Sequence, residues 1–228
     1  MHASTAILYF TRRPDAESKY KRLHRQTKSN QQIIRALYEH THAMLHDTGL
    51  PVLEYNEDQQ RGDRFGERLS FCVREAFALG YERLLIIGND CPTLSRNDLK
   101  KAVAALSRGE QVMGATDDGG AWLIGLQRRQ FEVAAFAALP WTSAHLAKAL
   151  SAYLAKATPL QQLQQKQDLD HVGALQLAFA KYSTATIIKI LRSLLRSFRT
   201  LISQLQRWTA AAFSFQTLLR GPPALHSL

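Results

Sequence analysis

The sequence predicts an α/β fold, a mostly parallel sheet packed between helices, with a basic amphipathic helix appended at its C-terminal end. Three observations carry this. Leu84 to Ile87 is a short apolar run that breaks at Gly88 into a Gly-Asn-Asp loop and is followed by a helical pattern, which reads as a buried parallel strand. Ala6 to Phe10 is a second short, β-prone apolar run followed by a helical stretch. A length of 228 residues suits one α/β domain with an appendage better than two full domains. Ligands of open α/β sheets bind beyond the carboxyl ends of the strands, so Asp90, just past the Leu84 run, is a candidate to face one. The local alternative makes Asp90 a turn residue and Asn89 a left-handed position.

The composition is that of a globular chain, 46% hydrophobic with a mean hydropathy of -0.22. Cys72 and Cys91 form neither a disulfide framework nor a metal-ligand spacing, which points to a reducing compartment. Residues 1–10 lack the pattern of a secretory signal, and no run of about 18 apolar residues occurs, so the expected address is the cytoplasm. The net charge of +10 suggests nucleic acid at first, but its distribution argues otherwise. No acidic residue follows Asp170, whereas Lys181, Lys189, Arg192, Arg196, Arg199, Arg207 and Arg220 all do, so the body is only mildly basic.

In order along the chain, the first strand leads into a basic segment, residues 11–28, holding Arg12, Arg13, Lys19, Lys21, Arg22, Arg25 and Lys28. Cations after the first strand suit a nucleotide's phosphates; a solvated surface segment is the alternative. Neither GxGxxG nor GxxxxGK[ST] is present. Residues 29–46 read as an amphipathic helix capped by Ser29 or Asn30 and stopped by Gly49. His40, His42 and His46 on it read as surface histidines. Pro51 to Tyr55 is the next strand, then a Gly-punctuated loop from Gln60 enters a helix with Glu67 in its first turn, suited to the helix dipole. After the Leu84 strand, Ser95 and Asp98 form a capping-box pattern. Cys91 reads as a packed small side chain rather than a nucleophile, because no base is placed for it.

Gln111 to Met113 leads as a short strand to Asp117, Asp118, Gly119 and Gly120, and a strand resumes at Trp122. The glycines let backbone approach a ligand and the acids suit hydroxyls or a cation; a tight hairpin is the alternative. Pro140 ends a preceding helix, and Trp141 offers a flat face to a sugar or to the core. A further helix is expected over residues 144–155. Asp168 and Asp170 lie on an extended segment, where one is expected to face the crevice and the other solvent or a backbone cap. With Asp90 they complete the carboxylates of an Mg²⁺ site, which commonly needs one or two plus substrate phosphates.

Taken together, QRGDRFGER, GNDCPTL, GATDDGGAWLIGL, LPWT and DLD, in this order and spacing, resemble the DUF2064 family over about residues 5–176. Members look like GT-A-type glycosyltransferases related to nucleotide-sugar and nucleotidyl transferases. The resemblance implies a three-layer GT-A sandwich over residues 1–176 and an extension over 177–228. It implies a transferase using a nucleotide-diphosphate sugar, with a nucleoside triphosphate, or binding without turnover, as alternatives. Asp90 matches the carboxylate for metal and diphosphate, and Asp170 the late carboxylate that helps hold Mg²⁺ or Mn²⁺. Gln60 and Gly62 match the nucleobase-side loop, with Asn89, Arg12 and Arg22 also on the nucleotide side. Asp118, Gly119 and Gly120 match the turn near the sugar, with Trp141 beside it and Asp118 the candidate acceptor base. The acceptor is not implied. The first loop departs from the family pattern: Arg12 stands for the first Lys, Glu17 for a glycine and Tyr20 for the second Lys, and Ala121 replaces a usual aromatic.

From Ile187 to Trp208, Ile187, Leu191, Leu194, Leu195, Phe198, Leu201, Ile202, Leu205 and Trp208 form an apolar stripe flanked by basic residues. Three roles compete for residues 187–208: packing on the body or on a second copy, lying peripherally on an anionic membrane, and contacting nucleic acid. The last is the least favoured, because the cations flank an apolar face rather than cover one side.

Overall fold

The apolar runs that mark the strands are buried on both faces, and this sets the layering. A computed structural model describes residues 4–156, 158–182 and 185–196. The strands are β1 (Thr5–Phe10), β2 (Val52–Tyr55), β3 (Arg83–Ile87), β4 (Gln111–Ala115), β5 (Ala121–Gln127) and β6 (Leu160–Gln162). They form one sheet in the order β2-β1-β3-β5-β4-β6. β1 runs parallel to β2 and β3, and β4 parallel to β6, while β5 is antiparallel to both its neighbours. The helices are α1 (Pro14–Tyr20), α2 (Thr27–His46), α3 (Phe65–Ala78), α4 (Arg96–Ser107), α5 (Val133–Ala137), α6 (Leu146–Leu154) and α7 (Val172–Lys181).

Successive side chains of a strand point to opposite faces, so a strand buried on both sides must be apolar throughout. Ala6, Leu8, Leu84 and Ile86 pack against α3, α5 and α6 on one face. Ile7, Tyr9, Leu85 and Ile87 pack against α2 and α4 on the other. The result is a three-layer sandwich. β1 and β3 are parallel, so Thr11 and the Gly88-Asn89-Asp90 loop emerge at the same edge of the sheet. β5 pairs Leu123 with Ile87, which brings the β4–β5 turn to that edge as well.

Several sequence expectations shift at their boundaries. The helix expected from Ser29 starts at Thr27, with Gln26 at the cap. Asn30 is instead a buried clamp: its Oδ1 accepts from the amides of Leu23 (2.7 Å) and His24 (3.1 Å), and its Nδ2 donates to the Lys21 carbonyl (2.8 Å). The basic segment is not wholly a loop, since Pro14 at the first turn opens α1. α3 begins at Phe65, with the Glu67 carboxylate accepting from the amides of Asp63 and Arg64. The capping box at α4 forms as its spacing predicts, with Ser95 Oγ accepting from the Asp98 amide at 3.2 Å and Asp98 Oδ2 from the Ser95 amide at 2.9 Å.

Beyond α7, residues 186–196 are helical. Ile187, Ile188 and Leu191 are fully buried against Ile33, Ile34 and Leu37 of α2, together with Leu169 and Leu175. The described part of the apolar stripe therefore packs on the body. Phe198, Leu201, Ile202, Leu205 and Trp208, with Arg199, Arg207 and Arg220, lie outside the described residues. No helix among the described residues is long and apolar enough to cross a membrane.

Candidate active site

The chain ends gathered at one sheet edge enclose a cleft of about 340 Å³. Its walls include Arg12, Gln60, Asn89, Asp90, Asp118, Gly120, Trp141, Asp168 and Asp170, so most of the residues singled out in the sequence meet in one place. Gly62, Gly119 and Arg22 are not among the walls. Arg22 is exposed and pairs through its backbone with His171. Gly119, at φ +92°, supports the turn from behind, where a Cβ would lie 2.1 Å from the Ala144 carbonyl oxygen.

One side chain outside the walls bears directly on them. α1 stops at Tyr20, and Lys21 leaves it in an extended conformation. Its ammonium bonds Asp90 Oδ1, lies 3.2 Å from Asp170 Oδ1 and 3.8 Å from Glu17 Oε1. Burial opposes the charge on Lys21, but Asp90, Asp170 and Glu17 outweigh it and hold its pKa above the ordinary lysine value. Arg12 reaches the cleft with its guanidinium already engaged by Glu17 at 3.2 Å and stacked over Tyr20. Lys21, rather than Arg22, is thus the cation paired with Asp90 and Asp170.

Asp168 and Asp170 both line the cleft, contrary to the expectation that they would part. Residues two apart on an extended segment share a face, and the residue between them, Leu169, is fully buried in the opposite direction. The Leu169 amide donates to the Asp90 carbonyl at 2.9 Å, which ties the late acidic segment to the end of β3. Asp168 Oδ1 is buried without a hydrogen-bond partner. Burial first, then the charges of Asp90, Asp170 and Asp118, push its pKa up to about 8, with Lys21 offsetting part of the rise. A carboxyl raised in the folded state loses stability relative to the unfolded chain as pH climbs from the ordinary carboxylate range to about 8. Asp168→Asn removes that loss. In EDTA its unfolding midpoint should match wild type near pH 4 and exceed it by several degrees at pH 8.5. A constant offset across pH would contradict this.

The remaining candidates hold the frame. Asp118 Oδ1 accepts from Thr116 Oγ1 and from the Gly120 amide (3.2 Å), so its turn is indeed a hairpin tip, closed by the Thr116 amide on the Gly120 carbonyl at 3.0 Å. The tight-hairpin reading of that stretch therefore holds, and the hairpin joins two buried strands. Gln60 is buried and donates to the carbonyls of Thr11 (2.8 Å) and Tyr55 (3.0 Å), linking the ends of β1 and β2. Asn89 is buried, and no described non-glycine residue has positive φ, so the left-handed conformation considered for it is not adopted. Trp141 donates from Nε1 to the Phe136 carbonyl at 2.8 Å and packs on Phe65 and Phe136, so its ring is a wall of the cleft as well as part of the core. Cys91 is buried, and burial pushes its thiol up to about 12, far from a nucleophile's range. Among the described residues no group of three or more His, Cys, Asp or Glu side chains is arranged to hold a metal ion.

The sequence profile of the family described as "Uncharacterized protein conserved in bacteria (DUF2064)" matches residues 23–143. The chain belongs to the DUF2064 family. Among solved structures, this DUF2064 protein is similar to one from Desulfovibrio desulfuricans G20 assigned as a nucleotide-diphospho-sugar transferase. The two share 21% identity over 90% of this chain and 98% of that one, with a TM-score of 0.73. Weaker likenesses are to Rv0371C of Mycobacterium tuberculosis H37Rv in complex with manganese (TM-score 0.41, 12% identity, 78% and 98% of the two chains) and to CMP:2-keto-3-deoxy-manno-octonic acid synthetase complexed with CTP (TM-score 0.42, 11% identity, 78% and 98%). No curated protein matches significantly. At 21% identity the first likeness establishes the fold, a GT-A-like three-layer α/β sandwich.

Proposed function

We propose that the protein is a glycosyltransferase that takes its sugar from a nucleotide-diphosphate donor with the help of Mg²⁺ or Mn²⁺. The observation that carries this is the gathering of Asp90, Asp118, Asp168 and Asp170 in one cleft at the carboxyl ends of β1 and β3, with Lys21 paired to Asp90 and Asp170. Carboxylates outnumber the cations there, and Asp168 keeps a buried oxygen without a donor, so the donor set suits a further positive charge. Mg²⁺ commonly takes one or two protein carboxylates with phosphate oxygens completing its shell, a demand that Asp90 and Asp170 meet. Bound there, a divalent cation neutralises charge on the leaving diphosphate.

The chain's own residues do the rest. Lys21 and Arg12 face the diphosphate with positive charge. Gln60 and Asn89 shape the nucleotide side, while Trp141 and Gly120 bound the sugar side, with Gly119 supporting the turn from behind. An acceptor hydroxyl oxygen bonds to the anomeric carbon as the bond from that carbon to the diphosphate oxygen breaks, with its electron pair leaving on the diphosphate. The hydroxyl proton passes to Asp118, which the Gly120 amide and Thr116 hydroxyl hold in place.

A thermal-shift screen of nucleotide sugars and nucleoside triphosphates, with and without Mg²⁺, tests the proposal. A nucleotide-diphosphate sugar should raise the midpoint by several degrees only with metal, and Asp90→Ala should abolish the rise. Stabilisation by triphosphates alone would reassign the protein to nucleotidyl transfer. No response to any nucleotide would sink both readings.

A further inference from the structure

A second cavity, of about 710 Å³, opens on α7 and shares Asp118, Asp168 and Asp170 with the nucleotide cleft. Its remaining lining sets the apolar Ala174, Leu177 and Ala180 beside Gln167, His171 and Lys181. α7 buries Leu175 and Ala178 against α2 and leaves Leu177, 62% exposed, and Ala180 lining this groove. At the rim, Asp117 is paired with Lys181 at 3.6 Å, and Asp118, Asp168 and Asp170 form the groove's acidic end.

We propose that this groove receives the acceptor, and that the acceptor is an uncharged small molecule with an apolar body and a hydroxyl at one end. The inference rests on the glycosyl-transfer reading above and adds its second substrate. Three features converge on this class. The groove meets the donor cleft only at the three carboxylates, so a ligand lying along α7 ends where the sugar is to be attacked. The carboxylates of Asp118 and Asp170 at the shared end accept hydrogen bonds, which a hydroxyl donates. Three acids at one end disfavour an anionic acceptor, and Leu177 and Ala180 give an apolar body a surface to cover.

Matched probes test this on the full-length protein without nucleotide. 2-Naphthalenemethanol and 2-naphthoate share a ring system and differ in hydroxyl against carboxylate. Saturation-transfer NMR titration should show the alcohol binding at least tenfold more tightly than the acid. Leu177→Asp and Ala180→Glu, both at exposed positions, should each weaken the alcohol at least tenfold while keeping the wild-type unfolding midpoint and the nucleotide response. Equal binding of alcohol and acid, an alcohol affinity unchanged in both variants, or no alcohol binding would overturn the proposal. Since nucleotide is absent, such a failure leaves the nucleotide screen standing and is distinguishable from failure of the transferase reading.

Discussion

Lys21→Met is expected to unfold some 5–10 °C below wild type in EDTA and to recover most of that loss in millimolar Mn²⁺, whereas wild type responds little to the metal alone. Removing one partner of a wholly buried ion pair typically costs 3–5 kcal/mol, because a charge is left behind without compensation. Here the lysine side chain is 10% exposed but Asp90 and Asp170 are 40% and 50% exposed, so water screens part of the loss and about 2–3 kcal/mol is expected. In wild type the ammonium already occupies Asp90 Oδ1 and approaches Asp170 Oδ1, so an incoming cation must share or displace it. Without it the two carboxylates are free to bind, and binding to the native state alone raises stability. Differential scanning fluorimetry with and without Mn²⁺ reads both effects. A wild-type metal response as large as the variant's would show that Lys21 does not contend for those oxygens.

Gly119→Ala should lower stability by roughly 3–4 kcal/mol, and it should do so by moving the Asp118 turn rather than by emptying a cavity. The residue sits at φ +92°, which costs a side-chain-bearing residue about 1–2 kcal/mol. The added Cβ would also lie 2.1 Å from the Ala144 carbonyl, a backbone atom that cannot swing away, and the 2.7 Å hydrogen bond from the Ala147 amide to the Gly119 carbonyl would be disturbed. Gly80→Ala is the matched control. Its φ is +96°, with nothing within 4 Å of the new methyl group, so it should lose only the conformational part, about 1 kcal/mol. Urea denaturation of the two variants separates strain from collision. Equal losses would show that the turn yields freely.

The sequence was legible where a single local pattern dictated the outcome. β1 and β3 are apolar on consecutive residues because both faces are covered, and that run also marked Asp90 at its end. The Ser95–Asp98 capping box needs only three residues of spacing, and it formed as expected. Lys21 was not legible, because its role depends on a partner 69 positions away and on α1 ending one residue before it. Matching against the family pattern drew attention to Tyr20 instead. The pairing of Asp168 with Asp170 was within reach, since an apolar residue between two acids on an extended segment is the mark of a shared polar face. The tail's stripe announced a buried face, but periodicity says nothing of what covers it, and the role of α2 emerges only in three dimensions.

The segment from Lys166 to His171 is laced to three other parts of the chain: Thr116 pairs with Lys166, the Asp90 carbonyl accepts from Leu169, and Arg22 pairs with His171. This ordering has a consequence for biosynthesis. Every strand among the described residues precedes this lace in the chain, so a nascent chain emerging from the ribosome can complete its sheet while Asp168 and Asp170 are still inside the exit tunnel. Competence arrives with the last stitch rather than with the fold.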